Sequence, residues 1–447
     1  MINRNRQGGK IGVISLGCPK NLVDTEKMLG RFFEAGYTLT PDPEEADLLV
    51  VNTCGFIADA EAESRQTILE MAAIKSRRPG VRLAVTGCLA QRYGRLLKEQ
   101  IPAIDLLLGT HDTAAQPRQL VAPPAHGRPV PILNPLNKPL EDAPRVLTTP
   151  SHTAYLKVAE GCNNPCSFCI IPQLRGPFRS RPVDELVAEA GALVKGGVLE
   201  LNLVSQDTSL YGRDLTPRSS LLSLLAALEN IESLQWIRLL YLYPTLVNDA
   251  LLDHINQSQK VLPYLDIPLQ HSHSAVLARM KRAERGTDIR QLVQRIRSRV
   301  PKGAIRSTFI VGFPGETEKE FNDLYDFINE FRLDHVGVFT YSDEVGSGAQ
   351  QLPDKIAPEI AAERRGRIYE LQQGISQENL EAQVGSTLPV LVEHSVKGEP
   401  WDYLGRTPWQ APDVDGHVRL QGKNLAIGTI VTARVLQATP YDLLATT

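Results

Sequence analysis

Three of the six cysteines fall within eight residues, spaced Cys162-x-x-x-Cys166-x-x-Cys169. Thiolates this close in sequence can converge on one centre, because a loop lets neighbouring side chains turn inward. Cysteine thiolates are the usual ligands of iron–sulfur clusters. No fourth cysteine lies nearby, so a cubic cluster held here keeps one iron free for an external ligand. An open position is what makes a metal site catalytic rather than structural. The competing reading is a zinc site that borrows a distant fourth ligand, with His271 and His273 as candidates.

A chain of 447 residues is too long for one ordinary core, so two or three domains are expected. Its 48 Lys+Arg against 51 Asp+Glu argue against a chain-wide basic footprint for nucleic acid. No apolar run approaches the length that crosses a bilayer. The polar start MINRNRQGGK does not read as a signal peptide. A cytoplasmic location is therefore expected. There thiols stay reduced, and clustered cysteines serve metals or catalysis rather than disulfides.

Short apolar runs at 11–16, 47–51 and 82–86 read as buried strands. Helical spacing follows each, over 21–36, 57–77 and 89–100, with Leu22, Met28, Leu29, Phe32 and Phe33 near one face of the first. Alternation of this kind predicts a parallel sheet flanked by helices. Cys18, Cys54 and Cys88 each fall within a few residues of a strand end. Ligands of open α/β sheets bind at the carboxyl ends of the strands. Three unrelated buried cysteines would be the plain alternative. Three placements at one edge, with no cysteine left over, favour a second three-thiolate cluster.

Residues 114–153 change character. Nine prolines lie between Pro117 and Pro150, and a linker with one or two short strands is expected. From 154 the alternation resumes. Strands are expected near 154–159, 198–204, 236–241, 261–267, 304–311 and 335–341. Helices are expected near 183–195, 219–230, 248–257, 288–299, 317–331 and 357–378. Six strand–helix units predict an open, partial TIM-like barrel. From about 381 short strands at 387–393, 401–406, 416–421 and 429–437 predict a small antiparallel barrel of OB-like build. The expected domains are 1–113, the linker 114–153, 154–380 and 381–447.

Taken together, the chain resembles the methylthiotransferases, radical S-adenosylmethionine (SAM) enzymes with two clusters. The aromatic Phe168 just before the last cysteine is part of that likeness. The resemblance implies that Cys18, Cys54 and Cys88 hold an auxiliary 4Fe–4S cluster and that Cys162, Cys166 and Cys169 hold the radical cluster. It also implies that the tail is a TRAM domain. Within the family, SLGCPKNLVDTE, NTCGFI, AEGCNNPCSFCIIPQLRG and YLDIPLQH look like the branch that modifies ribosomal protein S-twelve. The implied reaction places a methylthio group on the β-carbon of an aspartate, with one SAM as methyl donor and another as radical source. An electron donor such as flavodoxin or ferredoxin and a sulfur source are implied partners, with no membrane and with nucleic acid unlikely as substrate. A tRNA adenosine methylthiotransferase is the nearest alternative. A non-catalytic zinc-bearing RNA-binding protein is a second.

Single residues carry two readings each. Phe168 is a candidate for the SAM adenine, or ordinary loop packing. Ser205, Gln206 and Asp207 are candidates for the methionine end of SAM, or helix caps. Gly312 and Gly315 admit a ligand close to the backbone, or make a turn. Arg175, Arg179 and Arg181 meet carboxylates of SAM or substrate, or are solvated. Residues 381–447 hold five basic side chains against seven acidic ones. That surplus suits a basic protein substrate better than RNA. Asp413, Asp415 and Asp442 are the expected docking carboxylates, with Trp401, Trp409 and Tyr441 as apolar anchors or as core of the small barrel.

Overall fold

The computed structural model describes residues 9–110, 144–397 and 400–447. Most of the expected linker, including its short strands, lies outside the described residues. The chain divides into two compact units. The first comprises Met1–Thr148, Ala159–Asn164 and Cys169–Arg181; the second comprises Thr149–Val158, Pro165–Phe168 and Pro182–Thr447.

The first unit is built on a parallel five-stranded sheet. Its order is Thr38–Leu39, Lys10–Ser15, Leu48–Thr53, Arg82–Gly87, Leu106–Leu107. Every residue of Leu48–Thr53 is buried, as a strand covered on both faces requires. Leu49 and Val51 face one core with Ile68, Leu89 and Leu97. Leu48 and Val50 face the other with Met28 and Phe32. Phe33, expected on the apolar face of helix Pro19–Glu34, is exposed instead. The amino-terminal half of that helix buries Asn21, Asp24, Thr25 and Glu26. The two-residue edge strands at 38–39 and 106–107 were too short to read as a pattern. Sequence order reverses between Lys10–Ser15 and Leu48–Thr53, which makes their carboxyl ends the switch point of the sheet.

The second unit contains six parallel strands in consecutive order: Thr153–Lys157, Glu200–Val204, Trp236–Leu239, Val261–Asp266, Ala304–Val311 and His335–Thr340. They form an open sheet with helices between, as expected. A closed five-stranded barrel follows, from Thr387–Ser395, Tyr403–Arg406, Val418–Gln421, Ile430–Ala438 and Leu443–Thr446. One pairing in it is parallel, Val418–Gln421 with Leu443–Thr446. Strand directions cannot alternate all the way round a ring of five, so the purely antiparallel expectation fails at one seam.

The connection between the second and third strands of the small barrel docks onto the open sheet. Arg406 donates to Glu200 at 2.5 Å and to Glu393 at 2.9 Å. Arg238 donates to Glu200 at 3.0 Å and to the Pro408 carbonyl at 2.7 Å. Tyr264 donates to Asp415 at 2.6 Å, Tyr155 to Asp413 at 3.3 Å, and Trp409 to the Lys302 carbonyl at 2.6 Å. Glu200, Arg238 and Arg406 are fully buried.

These contacts correct the docking expectation. Asp415 is buried at its side chain, 3.5 Å from Arg306, and also accepts the Ala411 N–H. Asp442 holds Arg419 at 3.1 Å and the His417 N–H at 2.9 Å. Asp415 and Asp442 therefore fasten the protein to itself, whereas Asp413, which accepts from Tyr155, stays exposed. Trp409 packs on the small barrel's core, Trp401 is half-buried, and Tyr441 is exposed. With Arg406, Glu393 and Asp415 buried and Arg419 paired to Asp442, Lys397, Lys423 and Arg434 remain among the exposed described side chains. They face Glu381, Asp402 and Asp413, three against three.

Burial alone would push the Glu200 carboxyl up, but Arg406 and Arg238 hold it down to about 2. A depressed carboxyl stabilises the fold above its unfolded value, near 4.3, and that contribution fades as pH falls from there toward 2. Glu200→Ala leaves two guanidinium groups buried without their shared partner. It is expected to cost about 3–5 kcal/mol in urea denaturation at pH 7. The gap from the parent should narrow below pH 4; an equal gap at pH 7 and pH 3 would contradict this account.

Candidate functional site

Cys18, Cys54 and Cys88 stand at the carboxyl ends of three neighbouring strands. Cys18 is the N-cap of helix Pro19–Glu34, Cys54 follows strand Leu48–Thr53 directly, and Cys88 opens helix Cys88–Gln100. The first two flank the switch point.

A glycine sits beside each cysteine, and each is needed for close approach. A Cβ on Gly17, at φ +90°, would lie 2.8 Å from Cys54 Cβ and 3.1 Å from its sulfur. One on Gly55 would lie 2.8 Å from Leu89 Cα. One on Gly87, at φ +94°, would lie 2.5 Å from the Thr53 carbonyl oxygen. Hydrogen bonds fix the turns once they have met. The Asn21 amide donates to the Leu16 and Thr53 carbonyls, both at 2.9 Å, tying the first turn to the second. Thr53 donates to the Thr86 carbonyl at 2.6 Å, tying the second to the third. Ser64 both accepts the Cys54 N–H at 3.0 Å and donates to the Cys54 carbonyl at 2.8 Å.

The thiols are electrostatically distinct. Burial pushes Cys88 up to about 11, against the pull of Arg175. Burial also raises Cys54, and the neighbouring Cys18 adds to it. Burial opposes ionisation of Cys18 as well. There Lys20, Arg175 and N–H donors of the first helical turn outweigh it and hold the thiol below its usual range. Arg175 is the missed residue of this site. It is fully buried and donates to Asp24 at 2.9 Å, to Glu160 at 3.0 Å and to the Asn21 side-chain carbonyl. Its charge also favours the ionised form of Cys88. Its neighbour Arg179 is half-buried and Arg181 is buried, so none of the three arginines is simply solvated. No periodicity marks Arg175; the signal that existed was the polar run Asn21, Asp24, Thr25 and Glu26 in the buried amino-terminal half of helix Pro19–Glu34.

The loop of Cys162, Cys166 and Cys169 divides between the two units. In the first, Cys162 accepts the Asn164 N–H and Cys169 accepts the Ile171 N–H, both at 3.4 Å. Gly161, at φ +77°, leaves room for the Pro177 carbonyl, which a Cβ would approach to 2.2 Å. In the second, Arg282 donates to the Cys166 sulfur at 3.7 Å while paired with Glu284 at 2.5 Å. Burial raises the Cys166 thiol against that cation. Arg282 was not singled out from the sequence. Phe168 packs with Val276, Met280, Phe313 and Ala349.

Ser205 follows strand Glu200–Val204 and accepts the Asp207 N–H at 3.1 Å. Asp207 caps the turn Thr208–Leu210, accepting from Ser209 at 2.7 Å and from the Leu210 N–H at 3.2 Å. Gln206, between them, is half-buried. Gly312 ends strand Ala304–Val311 at φ +71°; a Cβ there would strike Ala361 Cβ at 2.5 Å. Helix packing thus already demands that glycine. His271 accepts the His273 N–H at 3.0 Å and faces Glu316 at 3.5 Å, and His273 accepts the Ala275 N–H at 3.3 Å. Among the described residues, the six cysteines included, no three His, Cys, Asp or Glu side chains form a ready group for a single metal ion.

The N-terminal turns nevertheless suit an iron–sulfur cluster. They supply three thiols at a sheet switch point. They also supply N–H and guanidinium donors of the kind that stabilise cluster sulfurs.

Residues 10–109 match the family described as uncharacterized protein family UPF0004, residues 156–328 the radical SAM superfamily, and residues 384–447 the TRAM domain. A radical SAM methyltransferase, TsrM from Kitasatospora setae, is similar in fold, with a TM-score of 0.51 at 14% identity. The likeness covers 74% of this chain and 72% of that one. Among the described residues no helix is long and apolar enough to cross a membrane. The protein named ribosomal protein uS12 methylthiotransferase RimO in Trichlorobacter lovleyi is 44% identical over 98% of this chain and 97% of its own. That of Aquifex aeolicus is 44% identical, covering 97% and 96%, and that of Geobacter sulfurreducens 42%, covering 97% and 98%. Likeness of that extent, across all three matched regions, means that the chain belongs to the RimO family of radical SAM methylthiotransferases.

Proposed function

We propose that this enzyme places a methylthio group on the β-carbon of an aspartate in ribosomal protein uS12, using one SAM as methyl donor and a second as radical source. The observation that carries this reading is the set of three cysteine turns at the switch point, in a chain similar to RimO proteins along nearly its whole length. On this reading Cys18, Cys54 and Cys88 hold one 4Fe–4S cluster, and Cys162, Cys166 and Cys169 hold another. Bound clusters and SAM supply the one-electron chemistry that an unactivated C–H bond requires, which acid–base side chains cannot. A one-electron donor such as flavodoxin or ferredoxin and a separate sulfur source complete the balance.

The chain's own residues have narrower tasks. The Asn164 and Ile171 N–H groups and Arg282 donate to the three sulfurs of the second loop. Donors of this kind lower the cost of keeping thiolates buried. Ser205 and Asp207 spend their side chains on the turn after Glu200–Val204. Their part in binding SAM is to shape the carboxyl edge of the sheet, alongside Phe168, Gln206 and Gly312. The domain division at 113, 153 and 380 and a cytoplasmic location belong to the same reading.

Mass spectrometry of uS12 after incubation with reconstituted enzyme, SAM and reductant is expected to show one added methylthio group on an aspartate. Bulk tRNA treated in parallel is expected to stay unmodified. Methylthiolated adenosine in the tRNA, with uS12 unchanged, would transfer the assignment to the tRNA-modifying branch.

Changing Cys162, Cys166 and Cys169 together to Ala is expected to remove about half of the iron of the anaerobically reconstituted protein. Changing Cys18, Cys54 and Cys88 should remove the other half, leave SAM cleavage to 5′-deoxyadenosine intact and abolish methylthio product. Complete iron loss from either variant, or product from the second, would overturn the two-site assignment.

A further inference from the structure

We infer that Arg175 is a positioning residue that sets the charge balance of the Cys18, Cys54 and Cys88 site, with Asp24 and Glu160 as its counterweights. The inference rests on the reading that these three thiolates hold an iron–sulfur cluster.

Arg175 ends the short helix Ile171–Arg175 and is fully buried. One of its terminal nitrogens donates to Asp24 at 2.9 Å and to Glu160 at 3.0 Å, and the other donates to the Asn21 side chain. Asp24 and Glu160 are buried too. Asn21 is the residue that ties the Cys18 turn to the Cys54 turn. The guanidinium is therefore held against the frame of the site by three side chains. Its positive charge also favours ionisation of all three thiols.

One cation shared by two carboxylates leaves that buried trio one charge negative, with Lys20 as a further cation beside Cys18. Reduction of a cluster adds an electron, which nearby negative charge disfavours and positive charge favours. A residue that merely filled space would be replaceable by an apolar side chain of similar volume, and buried ion pairs are often replaceable in that way. Arg175 differs because removing it leaves Asp24 and Glu160 buried without their shared cation and takes away a positive charge that acts on all three thiols. Its carboxylates differ in the opposite sense, since removing either relieves the site of a negative charge. Sequence position adds a second role. Glu160 lies two residues before Cys162, and Arg175 six residues after Cys169. The pair clamps the two ends of the second cysteine loop.

The test uses the full-length chain with Cys162, Cys166 and Cys169 changed to Ala, so that signals report the N-terminal site alone. Reduction potential is followed by visible absorption and electron paramagnetic resonance during a redox titration, with iron content measured on each sample. In that background Arg175→Met is expected to move the potential to more negative values. Asp24→Asn and Glu160→Gln are expected to move it to more positive values, and Arg175→Lys to stay near the parent. The two amide variants are nearly isosteric, so they report even where Arg175→Met fails to fold. A purely structural residue would not give shifts of opposite sign. Iron retained with potentials unmoved, or all moved in one direction, would overturn the inference alone. A background protein without iron–sulfur absorption would overturn the cluster reading beneath it.

Discussion

Three turns that carry cysteine approach one another so closely that a side chain on any of their glycines would collide. That constraint governs the first unit. Gly17 and Gly87 hold positive φ angles that other residues adopt at a cost, and Gly55 lies against the backbone of helix Cys88–Gln100. Close approach is possible because the three strands are parallel and adjacent, so their carboxyl ends fall at one edge. The parallel order in turn depends on helices covering both faces, which the apolar runs of the strands supply. Asn21 and Thr53 then convert proximity into fixed geometry by bonding to carbonyls of neighbouring turns. Such hydrogen bonds are worth little each in net terms. In a buried site their value is that leaving any of them unmade would be costly.

The second unit solves a different problem. An open sheet of six strands has a polar interior at its amino-terminal end, where Glu200, Arg238, Tyr264 and Arg306 sit close together. The second strand of the small barrel and the loop after it bring Arg406, Asp413 and Asp415 to these groups. Each buried charge so placed meets a partner of opposite sign or a hydroxyl donor. The opposite, carboxyl edge carries Ser205, Gly312 and the Cys166 segment. A chemistry that must keep water from a short-lived radical gains from having the far end of the barrel closed.

Most of this architecture was legible in the sequence because it is written in short-range patterns. Apolar runs gave the central strands, helical spacing gave their partners, and cysteines at strand ends marked the edge. What escaped was long-range. Arg175 is 151 residues from Asp24, and no local rule says that this arginine turns inward while others stay at the surface. Arg282 reaches Cys166 across 116 residues in the same way. The edge strands at 38–39 and 106–107 escaped because two residues carry no period. The last strand, Leu443–Thr446, escaped because a ring is closed by its tertiary partners rather than by its own propensity.

The tail shows where counting residues misleads. Five basic side chains against seven acidic ones looked like a surface suited to a basic protein. Charge informs about a partner only where solvent, and hence the partner, can reach it. Arg406, Glu393 and Asp415 are buried in pairs, and Arg419 is committed to Asp442. The exposed described remainder is balanced. A balanced surface neither grips phosphate nor repels it, so among the described residues the tail's exposed charge does not choose between a protein and an RNA. The choice of uS12 rests instead on similarity along the whole chain, and on residues such as the Cys18-Pro19-Lys20-Asn21 run. There Lys20 and Asn21 act on the thiols directly, and a change of residue would alter the site itself.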